Sequence, residues 1–157
     1  MPGSSPPASQ AAGSGQPPRL SALIVARDEA ANLPGCLATV RFADEVIVVL
    51  DRTTDGSAAI AESLADRVIE GAWEIEGDRR NTGIDACSGD WILEVDADER
   101  VSPALAAEIR SVIAEAPPGH FLIPFDNYIG DRLVKHGWGA AWGVRETVRL
   151  FAAGPGT

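Results

Sequence analysis

Positive charge is scarce in this chain: 13 Lys and Arg stand against 23 Asp and Glu, a formal net charge of −10. That balance argues against a nucleic-acid partner, because phosphate backbones are gripped by clustered Lys and Arg. It also disfavours electrostatic docking on anionic lipid, so any membrane association is expected to be peripheral. Cysteine is scarce too. Cys36 and Cys87 show no metal-like spacing. Their Ala/Leu/Ser-rich surroundings read as those of small buried residues in a reducing compartment, and nothing supports a disulfide. No apolar run reaches the length needed to cross a bilayer. There is no Gly-x-Gly-x-x-Gly after the first apolar run and no Gly-x-x-x-x-Gly-Lys-Ser/Thr anywhere, which speaks against dinucleotide and P-loop sites. No internal repeat is visible.

What is present is typical of a globular α/β protein: 45% hydrophobic residues, with plentiful Gly and Pro, in 157 residues. That length suffices for one domain with a real core. Met1 to Pro18 is rich in Pro, Ser, Gly and Ala, with no charge and no apolar stretch. It is expected to be a disordered tail (residues 1–19) rather than a secretory signal, ahead of a domain at 20–157 in a cytoplasmic protein.

Leu20 to Ala26 reads as a buried strand, followed by Arg27-Asp28-Glu29, with Asp28 suited to cap a helix carrying Leu33, Leu37 and Val40. Glu45 to Leu50 is a second buried strand ending at Asp51. Thr53-Thr54-Asp55-Gly56 then opens a helix with Ile60 and Leu64 on its inner face. A short strand at Arg67 to Glu70 precedes a helix at about Asp78 to Cys87, closed by Ser88-Gly89. Trp91 to Val95 is the next strand, and Ser102-Pro103 starts a helix that runs to Ala116. His120 to Phe125 and Thr147 to Phe151 are the last strands. Strands alternating with helices imply a mostly parallel sheet flanked by helices.

Three acidic clusters therefore fall at the carboxyl ends of three strands, where such sheets bind ligands: Asp28-Glu29, Asp51, and Asp96-Ala97-Asp98-Glu99. The last is the most informative. Alternate side chains of a strand share a face, so Asp96 and Asp98 can point the same way just past its end. Two such carboxylates suit a hard divalent cation, Mg²⁺ or Mn²⁺, completed by water and phosphate oxygens. The bland alternative is a solvated turn, since Asp-x-Asp arises readily in a chain this rich in Asp.

Taken in order, Ala26-Arg27-Asp28-Glu29, Val48-Val49-Leu50-Asp51 with Thr54-Asp55-Gly56, Arg79-Arg80-Asn81 and Asp96-Ala97-Asp98-Glu99 resemble the family 2 glycosyltransferases, which have the Rossmann-like GT-A fold. The likeness runs from about Leu20 to Phe151. It looks closest to the branch acting on lipopolysaccharide core or related surface glycans, which carries stretches like Asn127-Tyr128, His136-Gly137-Trp138 and Arg149-Leu150-Phe151. The resemblance implies a nucleotide-diphospho-sugar donor, a glycan or lipid-linked acceptor, and metal-assisted, inverting transfer. It sets Glu29 beside the nucleoside and Asp51 on the base or ribose. Arg79 or Arg80 would reach the diphosphate, Asp96 the ribose-diphosphate and the metal, and Asp98 the metal most directly, with Arg149 adding positive charge.

Each residue also has a plainer role. Asp28 and Asp55 suit helix caps, and turn formation explains Asp51 almost as well. One of Arg79 and Arg80 is expected to be merely solvated. Tyr128, Trp138 and Trp142 can stack on sugars or simply pack, and His136 can contact the acceptor or metal or make a structural hydrogen bond. Two departures from the family stand out. Asp28 occupies a position where the family often has Asn. The chain also ends at Gly154-Pro155-Gly156-Thr157, where the family continues into an acceptor-side region, so the expectation is a donor half. No catalytic base is identified; Glu99, Asp126 and Glu146 are the substitutes available. The rival reading is a non-catalytic nucleotide-sugar-binding remnant. A phosphotransferase with an Asp-x-Asp nucleophile lacks the hydroxyl residues it needs after the carboxylates, and a nucleotidyltransferase lacks its Gly-rich phosphate loop.

Overall fold

The two most buried strands form where apolar, β-branched residues run together, and carboxylates follow close after each run. In the computed structural model, which describes residues 15–124, 128–129, 132–133 and 147–154, β1 is Leu20–Ala26 and β2 is Glu45–Asp51. Next come β3 (Arg67–Gly71), β4 (Trp91–Asp96) and β5 (His120–Ile123). A short ribbon, β6 (Tyr128–Ile129) with β7 (Arg132–Leu133), is followed by β8 (Thr147–Ala152). Six strands make one mixed sheet in the order β3-β2-β1-β4-β8-β5. β1 to β4 are mutually parallel, whereas β8 runs antiparallel between β4 and β5.

Among the described residues four helices cover the sheet: α1 (Leu33–Thr39), α2 (Ser57–Leu64), α3 (Glu76–Ala86) and α4 (Pro103–Glu115). One face of the sheet buries Ala22, Ile24, Val48 and Leu93 against Leu33 and Leu37 of α1, Ala61 of α2, and Ile109 and Ile113 of α4. The other buries Leu23, Ile47, Val49 and Ile92 under α3, with Ile84 packed against them. Each such Val, Leu or Ile side chain contributes about 1.5–3 kcal/mol relative to an exposed one. The chain steps outward from β1 to β3, then returns to the other side of β1 as β4. The loops after β1 and β4 thus diverge and open a crevice at the carboxyl edge.

The structure corrects several local expectations. Asp28 does not cap α1, whose N-cap is Asn32 with no side-chain bond; it binds the loop after β2 instead. On α2, Ile60 packs against the core as expected beside the buried Ser57 and Ala61, but Leu64, in the last turn, is exposed. Helix α3 starts earlier than expected, as Asp78 and Arg79 N–H groups donate to Ile75 O. Ser102 caps α4 as expected, its side chain accepting from Leu105 N at 3.1 Å. Both cysteines are free; Cys36 is buried, while Cys87 is half-buried. Phe125, the expected end of β5, lies outside the described residues.

Candidate functional site

At the carboxyl edge the loops after β1 and β2 lock onto each other. Asp28 Oδ1 accepts from Thr54 N at 2.7 Å and Asp55 N at 3.3 Å. In return, Asp55 Oδ2 accepts from Ala30 N at 3.0 Å, and Ser57 Oγ accepts from Glu29 N at 2.9 Å. Asp55 Oδ1 also takes the Ser57 N–H, a bond made from one residue before the N-cap of α2, which is Gly56 rather than Asp55. Two non-glycine residues of these loops have left-handed backbone, Asp28 (φ 52°) and Arg52 (φ 49°), a conformation that Asp tolerates better than Arg. Glu29 stays local: Oε2 accepts from Asn32 Nδ2 at 2.8 Å.

Asp51 ends β2 almost fully buried, at 6% exposure. A carboxylate there needs donors. Trp73 N donates to Oδ1 at 3.2 Å and Arg79 Nη1 to Oδ2 at 3.3 Å, with Arg52 Nε 3.7 Å away. Arg79 Nη2 lies 3.6 Å from Glu76, and its buried Nε has no hydrogen-bond partner among the described residues. One turn position on, Arg80 differs. Its fork is closed on Glu94 of β4, at 2.5 and 2.6 Å, over the ring of Phe151. That pairing raises the Arg80 pKa above its ordinary value. Arg80 is thus spoken for by a carboxylate, while Arg79 keeps an unused donor.

Asp96 is the last residue of β4, and a turn closed by Glu99 N donating to Asp96 O (2.9 Å) follows at once. The strand alternation expected to align Asp96 with Asp98 therefore stops between them; the turn relates them instead, and both are exposed. Arg149, reaching across from β8, donates from Nη2 to Asp96 Oδ2 at 2.6 Å and to Glu99 Oε1 at 3.0 Å. Glu99 Oε2 accepts from Asp96 N at 2.8 Å. Burial pushes Glu99 above the usual carboxylate range, aided by the Asp96 and Asp98 charges and opposed by the Asp96 amide and Arg149. Burial acts to lower the Arg149 pKa, but its bond to Asp96 and the nearby carboxylates outweigh this and raise it.

Two cavities meet at this point. One, of about 720 Å³, is lined by Arg79, Arg80, Glu94, Asp96 and Arg149 together with Val25 of β1. The other, of about 680 Å³, is lined by Asp96, Asp98, Glu99, Arg100, Ser102 and Arg149 among others. Four of the expected residues thus share one cavity. Asp98 lines the other, Asp51 stands behind Arg79, and Glu29 reaches neither lining. Asp96 and Asp98 are hard oxygen donors of the kind Mg²⁺ and Mn²⁺ take, and their exposure leaves them accessible. Among the described residues, no three His, Cys, Asp or Glu are grouped to hold an ion unaided. Among those same residues, no helix is long and apolar enough to cross a membrane. Glu94 and Arg100 were not singled out from the sequence; the only available signal for Glu94 was a charge inside an apolar strand. Asp126, Asn127, His136, Trp138, Trp142 and Glu146 lie outside the described residues, as does the side chain of Tyr128.

The chain is similar to known glycosyltransferases throughout this region. An uncharacterized glycosyltransferase of Rickettsia bellii is 36% identical over 105 residues, 66% of this chain and 36% of that protein. The lipopolysaccharide core biosynthesis glycosyltransferase LpsC of Rhizobium meliloti is 26% identical over 149 residues, 87% of this chain and 52% of LpsC. The chain thus spans little more than a third of the first relative and about half of the second. Among solved structures, the mannosyltransferase PcManGT of Pyrobaculum calidifontis, in complex with GDP-Man and Mn²⁺, superposes with a TM-score of 0.57 at 22% identity. That match covers 74% of this chain and 38% of PcManGT, and shows the shared GT-A fold. The pattern of Glycosyl transferase family 2 matches residues 21–145. With its motifs in that order along a GT-A sheet, the chain belongs to glycosyltransferase family 2.

Proposed function

We propose that this chain forms the donor site of a transferase that moves a sugar from a nucleotide-diphospho-sugar to a glycan or lipid-linked acceptor, with inversion and with help from a divalent cation. The observation that carries this reading is the shared cavity: Arg79, Arg80, Asp96 and Arg149 converge at the crevice beside β1. Asp51 holds Arg79 by Nη1 and so fixes the guanidinium in the cavity lining, where its charge can meet a phosphate oxygen. Arg80 is placed by Glu94 and contributes charge rather than an open fork. Asp96 and Asp98 would hold the cation, with Glu29 and Asp51 on the nucleoside side. Bound Mg²⁺ or Mn²⁺ would neutralise charge on the leaving diphosphate. Arg149 would steady the same charge from the opposite wall. LpsC acts, by its name, in lipopolysaccharide core biosynthesis; a surface-glycan acceptor is the corresponding proposal here. Two free cysteines fit a cytoplasmic, reducing setting.

Calorimetric titration of UDP, GDP and dTDP, with and without Mn²⁺, tests the donor site. Binding of one nucleotide that needs Mn²⁺ and is lost in Asp98→Ala is the expected result. Asp98 is exposed, so that variant keeps its stability within about 0.5 kcal/mol. Flat traces from folded protein with all three nucleotides would remove the reading. Donor binding without sugar transfer to any glycan acceptor would favour a binding remnant.

A further inference from the structure

The carboxylate turn after β4 rests on α1, and one side chain both binds the turn's own carbonyls and reaches across to that helix. Arg100 Nη1 donates to Ala97 O at 3.1 Å and to Glu99 O at 2.8 Å, while Nη2 donates to Asn32 O at 3.2 Å. Its guanidinium lies on Gly35 of α1: a Cβ built there would come within 2.7 Å of Nε and Nη2. The same helix meets the turn twice more. Cys36 Sγ donates to Asp96 O at 3.5 Å, and Thr39 Oγ1 accepts from Val101 N at 3.1 Å. The first residues of α1 are in turn held by Glu29, whose carbonyl accepts from Asn32 N and Leu33 N.

We infer that Arg100, seated on Gly35, is a positioning residue that fixes the Asp96–Glu99 turn to α1 and so sets where its carboxylates meet a cation and a nucleoside diphosphate. The inference rests on the donor-site reading for its ligand and on the contacts above for its geometry. A guanidinium is needed because three carbonyls at separate positions must be satisfied by one planar group, which a single ammonium does not span. A glycine is needed because any side chain at residue 35 occupies the place of that group. Gly35 lines neither cavity, and the hydrogen bonds of the Arg100 guanidinium go to backbone carbonyls rather than to the carboxylates.

The test is Gly35→Ala beside Arg100→Ala and Arg100→Lys. Gly35→Ala is the sharper variant, since it changes no charge, favours the helix intrinsically and displaces only the far end of a flexible side chain. Hydrogen exchange at the Glu99 and Val101 amides, both bonded within this seat, reads the turn directly. Titration of UDP, GDP and dTDP with Mn²⁺ reads the ligand. Exchange about tenfold faster in all three variants, without a change in the exchange of β1 and β2, is expected. Mn²⁺-dependent affinity is expected to drop by about five- to tenfold alongside it. Exchange at wild-type rates in Gly35→Ala would overturn the inference, as would faster exchange with unchanged affinity. If the unaltered chain binds none of the three nucleotides, the donor-site reading fails and the assigned ligand with it. Exchange rates alone then decide whether Arg100 positions the turn.

Discussion

Glu94 is 12% exposed and both its oxygens are taken by Arg80. Arg80→Ala leaves that carboxylate inside the sheet edge without its partner, at a cost of about 1–3 kcal/mol. A urea unfolding midpoint reads the loss, and the double variant with Glu94→Ala should recover part of it. Glu45, at the opposite edge, predicts a pH effect. Burial acts to raise its pKa, but bonds from Ser21 and Ser88 outweigh this and hold it below 4.5. A depressed carboxylate contributes stability that is present above its unfolded value and is lost as pH falls through the folded one. Melting temperatures of the wild type should therefore fall across the acid range below about pH 4.5, with Glu45→Gln showing a shallower fall. Equal slopes would mean the Ser21 and Ser88 bonds add nothing. Residue identity was legible here only in part. Asp51 and Asp96 could be read as strand-end carboxylates, but which arginine each would meet could not.

Helix α3 carries Arg79 and Arg80, and Gly83 sets its height above the sheet. A Cβ at Gly83 would lie 2.5 Å from Leu23 Cδ1 and 3.0 Å from Val49 Cγ2, both in the buried core beneath. Gly83→Ala is therefore expected to lift the helix and cost about 1–3 kcal/mol by overpacking, despite the better helix propensity of Ala. Nucleotide affinity should weaken as the arginines shift. Gly77→Ala, where a Cβ meets only Ile75 Cγ2 at 4.0 Å, is the matched control and should be neutral or slightly stabilising. Calorimetric melts of both, with titrations, check the pair. Most elements were legible because their causes are local: β1, β2 and β4 are apolar runs ended by carboxylates, and α4 follows Ser102-Pro103. The role of Asp28 was not. A capping residue is recognised by its place before a helix, yet its strongest donors, Thr54 N and Asp55 N, come from a loop more than twenty residues away.

At the scale of the whole molecule, β8 is the strand the rest depends on. It lies between β4 and β5, pairs with both, and buries Leu150 in the main core. A chain cut after residue 146 leaves β4 with an open edge and β5 with no strand to pair with. Loss of a cooperative thermal transition is expected, with association through the exposed edge; an unchanged melt would show that β1 to β4 stand alone. The same strand delivers Arg149 to the carboxylate turn, 53 residues away from Asp96.

Sequence by itself determined the α/β alternation, the three buried parallel strands and the acidic clusters at their ends, because periodicity and termination are written in neighbouring residues. Tertiary structure alone decided that β8 enters antiparallel between β4 and β5, that Glu94 takes Arg80, and that Arg100 settles on Gly35. Those pairings depend on where distant segments meet once the apolar faces are buried, and geometry of that kind has no local signature in the chain.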